Sequence, residues 1–157
     1  MNILVIYDSV FGNTEKIAQS VAQALEPDNQ VRLLRSKDVD VQMLSADLII
    51  AGSPTQKFNP TPEITSLLKQ LPVGKLHSIP VAVFDTRISV EDTNSGILRF
   101  FVKCFGYAAE TLGKRLQKKG GRLRADPEGF IVQDVKGPLK KGELERAAEW
   151  ARSLVEN

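Results

Sequence analysis

The chain has very little cysteine and histidine. Cys104 is the single cysteine among 157 residues, so an intramolecular disulfide is excluded and a reducing compartment is expected. We interpret it as a small core residue of a helix. His77 is the single histidine and has no metal-ligating partner in its segment, so we expect a surface position. We therefore predict no metal site.

Long apolar runs are also missing. The longest apolar stretch, Phe100 to Ala109, is interrupted by Lys103 and is too short to span a bilayer. The first residues enter an apolar strand pattern at once, so no charged-then-apolar signal segment is recognised. These absences predict a cytoplasmic protein that does not insert into a membrane.

No strong excess of one charge is present. The net charge is +2 with 25% charged residues, so we expect no nucleic-acid partner. One segment is nevertheless purely basic and is interpreted either as a solvated helix end or as a docking patch for an acidic partner. Its residues are Lys114, Arg115, Lys118, Lys119, Arg122 and Arg124.

Strand and helix patterns alternate along the whole chain, without repeats or linkers. This predicts one domain over residues 1–157. Apolar runs predict strands over 2–7, 31–34, 47–52 and 80–84, and a fifth near residue 122 that residues 126–129 interrupt. Whether the fifth strand resumes over 130–132 stays open. Helical periodicity predicts helices near 13–25, from Pro62, over 95–118 and over 143–155, and a short, poorly formed helix around Val39, Met43 and Leu44.

Five alternating strands predict an α/β fold with an open parallel sheet and helices on both faces. A ligand-binding first loop favours the strand order 2-1-3-4-5, which places that loop beside the loop after strand three. Ligands of such sheets bind at the carboxyl ends of the strands. Trp150 and Leu144 are expected to pack inward from the last helix.

The first loop joins a buried strand to an amphipathic helix. Because the N–H groups at a helix N-terminus lack internal partners and lie at the positive end of the dipole, such a turn binds anions. An ordinary N-capped turn is the alternative. The loop lacks the Gly-Lys-Ser/Thr end of a Walker A motif. Its candidate phosphate-binding residues are Ser9, Val10, Phe11, Gly12, Asn13 and Thr14.

The loops after strands three and four are unusually long, and long loops in compact domains tend to be functional. Residues 53–60 follow strand three and are rich in proline and hydroxyl groups. Residues 85–94 follow strand four. Their candidate binding residues are Ser53, Pro54, Thr55, Gln56, Phe58, Asp85, Thr86 and Arg87.

These loops carry a resemblance to a known family. Ser-x-x-Gly-Asn-Thr at residues 9–14 resembles the phosphate loop of flavodoxins, and Gly-Ser-Pro-Thr at residues 52–55 resembles the segment that flanks their FMN. The resemblance covers essentially the whole chain. It implies that the first loop holds the FMN phosphate, that Ser53 and Thr55 bond the ribityl chain or ring, and that the backbone of Thr86 and Arg87 faces the pyrimidine edge.

The chain departs from the family pattern in three respects. Gln56 stands where most flavodoxins have Trp or Tyr, the third loop lacks Gly-x-Gly-Asp and its stacking Tyr, and the chain is mildly basic instead of acidic. Phe58 is then the nearest candidate to pack on the ring. Arg87 either stabilises the reduced, anionic flavin or pairs with Asp85, Glu91 or Asp92 as loop scaffolding.

The resemblance implies an FMN-binding protein that passes electrons to a redox partner protein. The alternatives are an FMN-dependent oxidoreductase that takes hydride from NAD(P)H and reduces a quinone, and a flavodoxin-fold binding module that has lost FMN. A receiver-type signalling module fits poorly, because strand three ends in Ala51-Gly52-Ser53 without a phosphoacceptor Asp. The oligomeric state stays open.

Overall fold

The structure is a computed structural model that describes residues 1–42, 44–89 and 95–156. Met43, Glu91 and Asp92, and with them the predictions made for them, lie outside these ranges, and the side chain of Cys104 is likewise not described. The described residues form these strands and helices in chain order: β1 (Asn2–Tyr7), α1 (Asn13–Leu25), β2 (Gln30–Arg35), β3 (Leu48–Pro54), α2 (Pro62–Gln70), β4 (Pro80–Ile88), α3 (Gly96–Phe105), α4 (Ala108–Lys118), β5 (Arg122–Leu123), β6 (Glu128–Val132) and α5 (Glu143–Val155).

The strands form one parallel sheet in the order β2-β1-β3-β4-β5, which confirms the predicted topology. The long strand β4 has two partners along its outer side. Its first residues pair with β5, through Pro80 with Arg122, and its last pair with β6, through Ile88 with Val132. The predicted fifth strand is therefore two strands, and the interruption lets both follow β4.

Helices cover both faces of the sheet, as predicted. One apolar layer joins β1, β3 and β4 to α1 and α5, and the other joins them to α2 and α4. Trp150 packs in the first layer with its ring centroid 6.0 Å from those of Phe84 and Phe130, which confirms its packing role. Leu144 was predicted to face inward but is 40% exposed, because Glu143 takes the buried position in that first turn of α5.

Two helix predictions are wrong. The helix expected over 95–118 is divided into α3 and α4 because Gly106 adopts a left-handed conformation (φ 69°) and Tyr107 an extended one. A capping box between Tyr107 and Glu110 then starts α4. Of the residues expected in a short helix, Val39 and Leu44 are described and lie in no helix, and a 3-10 turn spans Ser36–Asp38 before them.

Strands β3 and β4 are longer than predicted, and this extension positions the site. The ladder continues through the pairs Ser53 with Asp85 and Pro54 with Thr86. Polar side chains in this stretch suggested loops, but these residues are largely buried and paired in the sheet. Asp85, Thr86 and Arg87 are therefore held by a strand and not by a loop.

Candidate ligand-binding site

A cleft of about 530 Å³, including its solvent-open part, lies at the carboxyl ends of β1, β3, β4 and β6. Ligand sites of parallel sheets occur at this edge. Its lining residues are Val10, Phe11, Asn13, Thr14, Pro54, Thr55, Gln56, Thr86, Arg87, Ile88, Val132 and Val135.

One end of the cleft is the N-terminus of α1. Gly12 precedes the helix with φ 84°, and Lys16 donates the first backbone bond of the helix to Gly12 O. Within the described part of the chain, no group accepts a hydrogen bond from the backbone N–H of Asn13, Thr14 or Glu15. Three such donors at the positive end of a helix dipole favour the binding of an anion, and this end of the cleft is the candidate anion site.

Ser9 stabilises the conformation of this loop through hydrogen bonds. Its Oγ accepts a hydrogen bond from the N–H of Gly12 at 3.1 Å, and its carbonyl accepts one from Arg35. Arg35 also lies 3.5 Å from Asp8, so the start of the loop is bound to the end of β2. Ser9 and Gly12 lie outside the cleft lining; they fold the loop so that the helix N–H groups face the cleft.

Thr14 and Thr86 connect the first loop with β4. Their hydroxyl oxygens lie 2.8 Å apart and are buried, and either can be the donor. Because one hydroxyl donates to the other, the second keeps an O–H that can donate to a ligand. The pair thus adds one hydroxyl donor near the anion site.

The second loop is held by its own hydrogen bonds. Ser53 is fully buried, and its Oγ accepts from Thr61 N–H at 3.0 Å and donates to Pro54 O. Thr55 Oγ1 accepts the N–H of Ala108 at 2.9 Å and keeps its own O–H free to donate. Ser53 is therefore scaffolding, and Thr55 remains available to a ligand.

Phe58, the residue predicted to pack on a ring, lies outside the cleft lining. It adopts a left-handed conformation (φ 67°) in a tight turn closed by reciprocal backbone bonds between Gln56 and Asn59. Phe11 lines the cleft and is 49% exposed, so the aromatic side chain at the cleft comes from the first loop.

Asp85 and Arg87 form an ion pair on one face of β4. Arg87 donates from Nε and Nη2 to the Asp85 carboxylate at 2.5 and 2.8 Å, and Ala109 N–H donates to the same carboxylate at 2.8 Å. Burial raises the pKa of the Asp85 carboxyl, against the opposing effects of Arg87 and Ala109. The guanidinium also stacks 3.7 Å from the Tyr107 ring centroid, which supports the scaffolding hypothesis for Arg87.

The fourth wall of the cleft was missed by the sequence reasoning. Ile88 ends β4, Val132 ends β6, and Val135 lies in the following turn. Asn13 Nδ2 donates to Lys136 O at 3.1 Å, which joins this turn to the first loop. Ligands of parallel sheets bind at the carboxyl ends of the strands. This rule predicts the fourth wall when it is also applied to the last strand.

The charge of the cleft is nearly neutral. Arg87 is the one ionisable residue among its described lining residues, and Asp85 compensates it. Behind the first loop, burial and a 2.7 Å hydrogen bond to Glu15 raise the pKa of Tyr7 to about 12. The cleft therefore offers a ligand mainly uncharged hydrogen-bond donors and apolar side chains.

The family of the chain follows from comparison with known proteins. A family model described as "Flavodoxin domain" matches residues 4–94, which include the first loop, the second loop and β4. The chain belongs to the flavodoxin domain family. A search of curated proteins found no match for this member.

Solved structures show the same fold for this flavodoxin-family chain. Oxidised flavodoxin 1 of Bacillus cereus superposes with a TM-score of 0.77 at 18% identity, over 99% of this chain and 97% of that one. Flavodoxin 2 of the same organism gives 0.76 at 24% identity, over 98% and 97%. Rubredoxin oxygen:oxidoreductase of Desulfovibrio gigas gives 0.66 at 20%, over 98% of this chain and 35% of that one.

The described residues contain neither a membrane-spanning helix nor a cluster of metal ligands. None of the described helices is long and apolar enough to cross a membrane. No group of three or more His, Cys, Asp or Glu among the described residues is arranged to hold a metal ion. His77 is exposed, as expected.

The basic segment lies away from the cleft. Its helix α4 begins beside Thr55, and Arg122 beyond its far end pairs with Pro80 at the opposite edge of the sheet. Several of its cations bond the protein itself: Arg115 donates to Thr65 Oγ1, Lys119 to Leu71 O, and Arg124 to Leu154 O. These contacts favour a structural role for the segment.

Proposed function

We propose that this flavodoxin-family chain is a single-domain electron-transfer protein that binds FMN in the cleft and exchanges electrons with a redox partner protein. The observation that carries the proposal is that one cleft combines hydrogen-bond donors suited to an anion with apolar side chains suited to a ring. Three unpartnered helix N–H groups lie at one end, and apolar side chains, among them Phe11, Val132 and Val135, lie around the rest. FMN has the matching structure, since it joins a phosphate to a planar ring.

The described residues fit this cofactor. The N–H groups of Asn13, Thr14 and Glu15, with the free hydroxyl of the Thr14 and Thr86 pair, would hold the phosphate. Thr55 would bond the ribityl chain or ring, in line with the resemblance of residues 52–55 to flavodoxins. The cofactor, when bound, supplies one- and two-electron redox chemistry, and the protein binds and orients it.

The test is a titration of the purified protein with FMN, riboflavin and FAD, followed by flavin fluorescence and absorption. FMN should bind more tightly than riboflavin, because the phosphate contributes contacts at the α1 N-terminus. FMN should also bind more tightly than FAD, because the first loop offers donors for a terminal phosphate and no segment that would hold an adenylate. Equal affinity for FMN and riboflavin would remove the role given to that loop. Failure of all three flavins to bind would favour the binding module that has lost FMN.

A second measurement separates an electron carrier from an oxidoreductase with its own substrate. The FMN-loaded protein is mixed with NAD(P)H and a quinone, and oxidation of the nicotinamide is followed at steady state. We expect no turnover without an added reductase. Sustained turnover would favour the NAD(P)H:quinone alternative.

A further inference from the structure

The turn Asp134–Gly137 belongs to the cleft although it lies outside the residues that match the family. Those residues end at position 94, so the family alone assigns this turn no role. Val135 at its tip nevertheless lines the cleft together with Val132 of β6. The turn is thus a part of the cleft that this chain builds from its own C-terminal third.

The turn is fixed by its backbone. Gly137 N–H donates to Asp134 O at 2.8 Å, and Gln133 N–H donates to Pro138 O at 2.9 Å. Val135 N–H donates to Asp134 Oδ1 at 2.7 Å. None of these bonds uses the Val135 side chain, which is therefore presented by a rigid turn and is not needed to fold it.

The turn is also held at a set distance from the anion site. Asn13, the first residue of α1, donates from Nδ2 to Lys136 O. Gly137 has φ 98°, and a Cβ there would lie 2.6 Å from Asn13 Oδ1, so the two loops are in close contact. A ligand whose anionic group sits on the α1 N-terminus consequently meets Val135 at a fixed distance.

Val135 is exposed to solvent in the cleft, and a ring bound there would cover it. Its side chain is 64% exposed, and Val10 and Phe11 across the first loop are 50% and 49% exposed. All three line the same cleft. Apolar side chains that cluster around a cleft signal a ligand or partner that covers them. The second loop contributes Pro54, Thr55 and Gln56 to the cleft lining and no aromatic side chain, so most of the apolar contact must come from other walls.

We propose that the turn Asp134–Gly137 is a fourth ligand-binding element, in which Val135, beside the first loop, packs on the apolar ring of the flavin. The inference rests on the proposed function and adds a binding residue to it. Val135 contacts the ring portion that FMN and riboflavin share, whereas the α1 N-terminus contacts the phosphate that only FMN has. The two contributions are therefore separable by ligand.

The test compares Val135→Ser with the control Val73→Ser, since Val73 is 84% exposed and lies outside the cleft. Loss of the apolar contact should weaken FMN and riboflavin by the same factor, roughly fivefold. Inorganic phosphate should compete with FMN to the same extent in Val135→Ser as in the wild type. Val135→Leu should bind both flavins with wild-type affinity. Val73→Ser should match the wild type for both flavins.

The outcomes distinguish this inference from the proposed function. If the wild type binds FMN and Val135→Ser binds both flavins with wild-type affinity, the inference is wrong and the proposed function stands. If Val135→Ser weakens FMN but not riboflavin, Val135 does not contact the ring and the inference is also wrong. If the wild type binds no flavin, the proposed function is wrong and the inference, which rests on it, is wrong as well. Thermal melting of each variant shows that the fold is retained.

Discussion

Asp85 and Arg87 lie two positions apart on β4 and bond each other through two hydrogen bonds on the same face of the strand. The Asp85 side chain is fully buried and that of Arg87 is 14% exposed. Ala109 N–H, at the start of α4, bonds the same carboxylate. One ion pair thus joins the end of β4 to α4, the helix that packs on it.

The first prediction concerns this pair. Asp85→Asn removes the charge that compensates Arg87 and replaces an acceptor oxygen with an amide that faces donors. The free energy of unfolding should fall by about 3 kcal/mol, because the largely buried Arg87 loses its nearest partner and keeps only the partly exposed Glu110 carboxylate at 4.0 Å. Urea denaturation measures the change, with the exposed Asp126→Asn as control. A loss as small as that of the control would show that the pair does not hold β4 to α4.

The second prediction concerns the Thr14 hydroxyl. Thr14→Val keeps the side-chain shape but removes the hydroxyl at the N-terminus of α1 that we expect to face the phosphate. FMN affinity should fall by about 1.5–3 kcal/mol, or roughly ten- to a hundredfold, because the lost bond is to a charged phosphate. Riboflavin affinity should stay unchanged, and Thr111→Val, outside the cleft, serves as control. Unchanged FMN affinity with a lower melting temperature would make Thr14 a structural residue only.

The third prediction is a pH dependence that arises from Glu143 at the base of the Val135 turn. Burial opposes the charge of Glu143, but hydrogen bonds from Arg146 at 2.7 Å and from Ile131 N–H at 2.6 Å outweigh burial and lower its pKa. The native state therefore favours the ionised form. Its contribution to stability is complete above the unfolded pKa of 4.5 and is lost as the pH falls through the lower, folded pKa.

Glu143→Gln should accordingly destabilise the protein by about 1.5 kcal/mol at pH 7, the low end for bonds to a charged group because Arg146 is partly exposed. The difference from the wild type should shrink as the pH falls below 4.5. Urea denaturation between pH 7 and pH 3.5 measures it, with the exposed Glu145→Gln as control. A difference that is constant over this range would assign the effect to packing and not to charge.

The sequence predicts the topology well because its signals are periodic and local. Apolar runs such as Leu48 to Ala51 mark buried strands, and the boundaries of α1 agree with the prediction to the residue. The first loop is recognisable because its function needs small residues at a helix start, and Gly12 provides the left-handed conformation there.

The rest depends on contacts between distant residues. Asp85 and Arg87 suggest a loop when each is considered alone, but their side chains pair with each other and β4 continues to Ile88 alongside β3 and β6. Val135 carries no motif, and its place in the cleft depends on the pairing of β6 with the end of β4. The site roles given to the loop residues stay predictions until a flavin is titrated.

Gly52 and Phe84 lie opposite each other in the pairing of β3 with β4, and a Cβ on Gly52 would lie 2.1 Å from Phe84 Cζ. The volume that Gly52 leaves free is thus occupied by the Phe84 ring, and the space available limits the combined size of the two side chains. A larger residue at position 52 requires a smaller one at position 84. Since the Phe84 ring also packs edge-on against Trp150 of α5, compensatory changes at the entrance to the second loop must extend to the last helix.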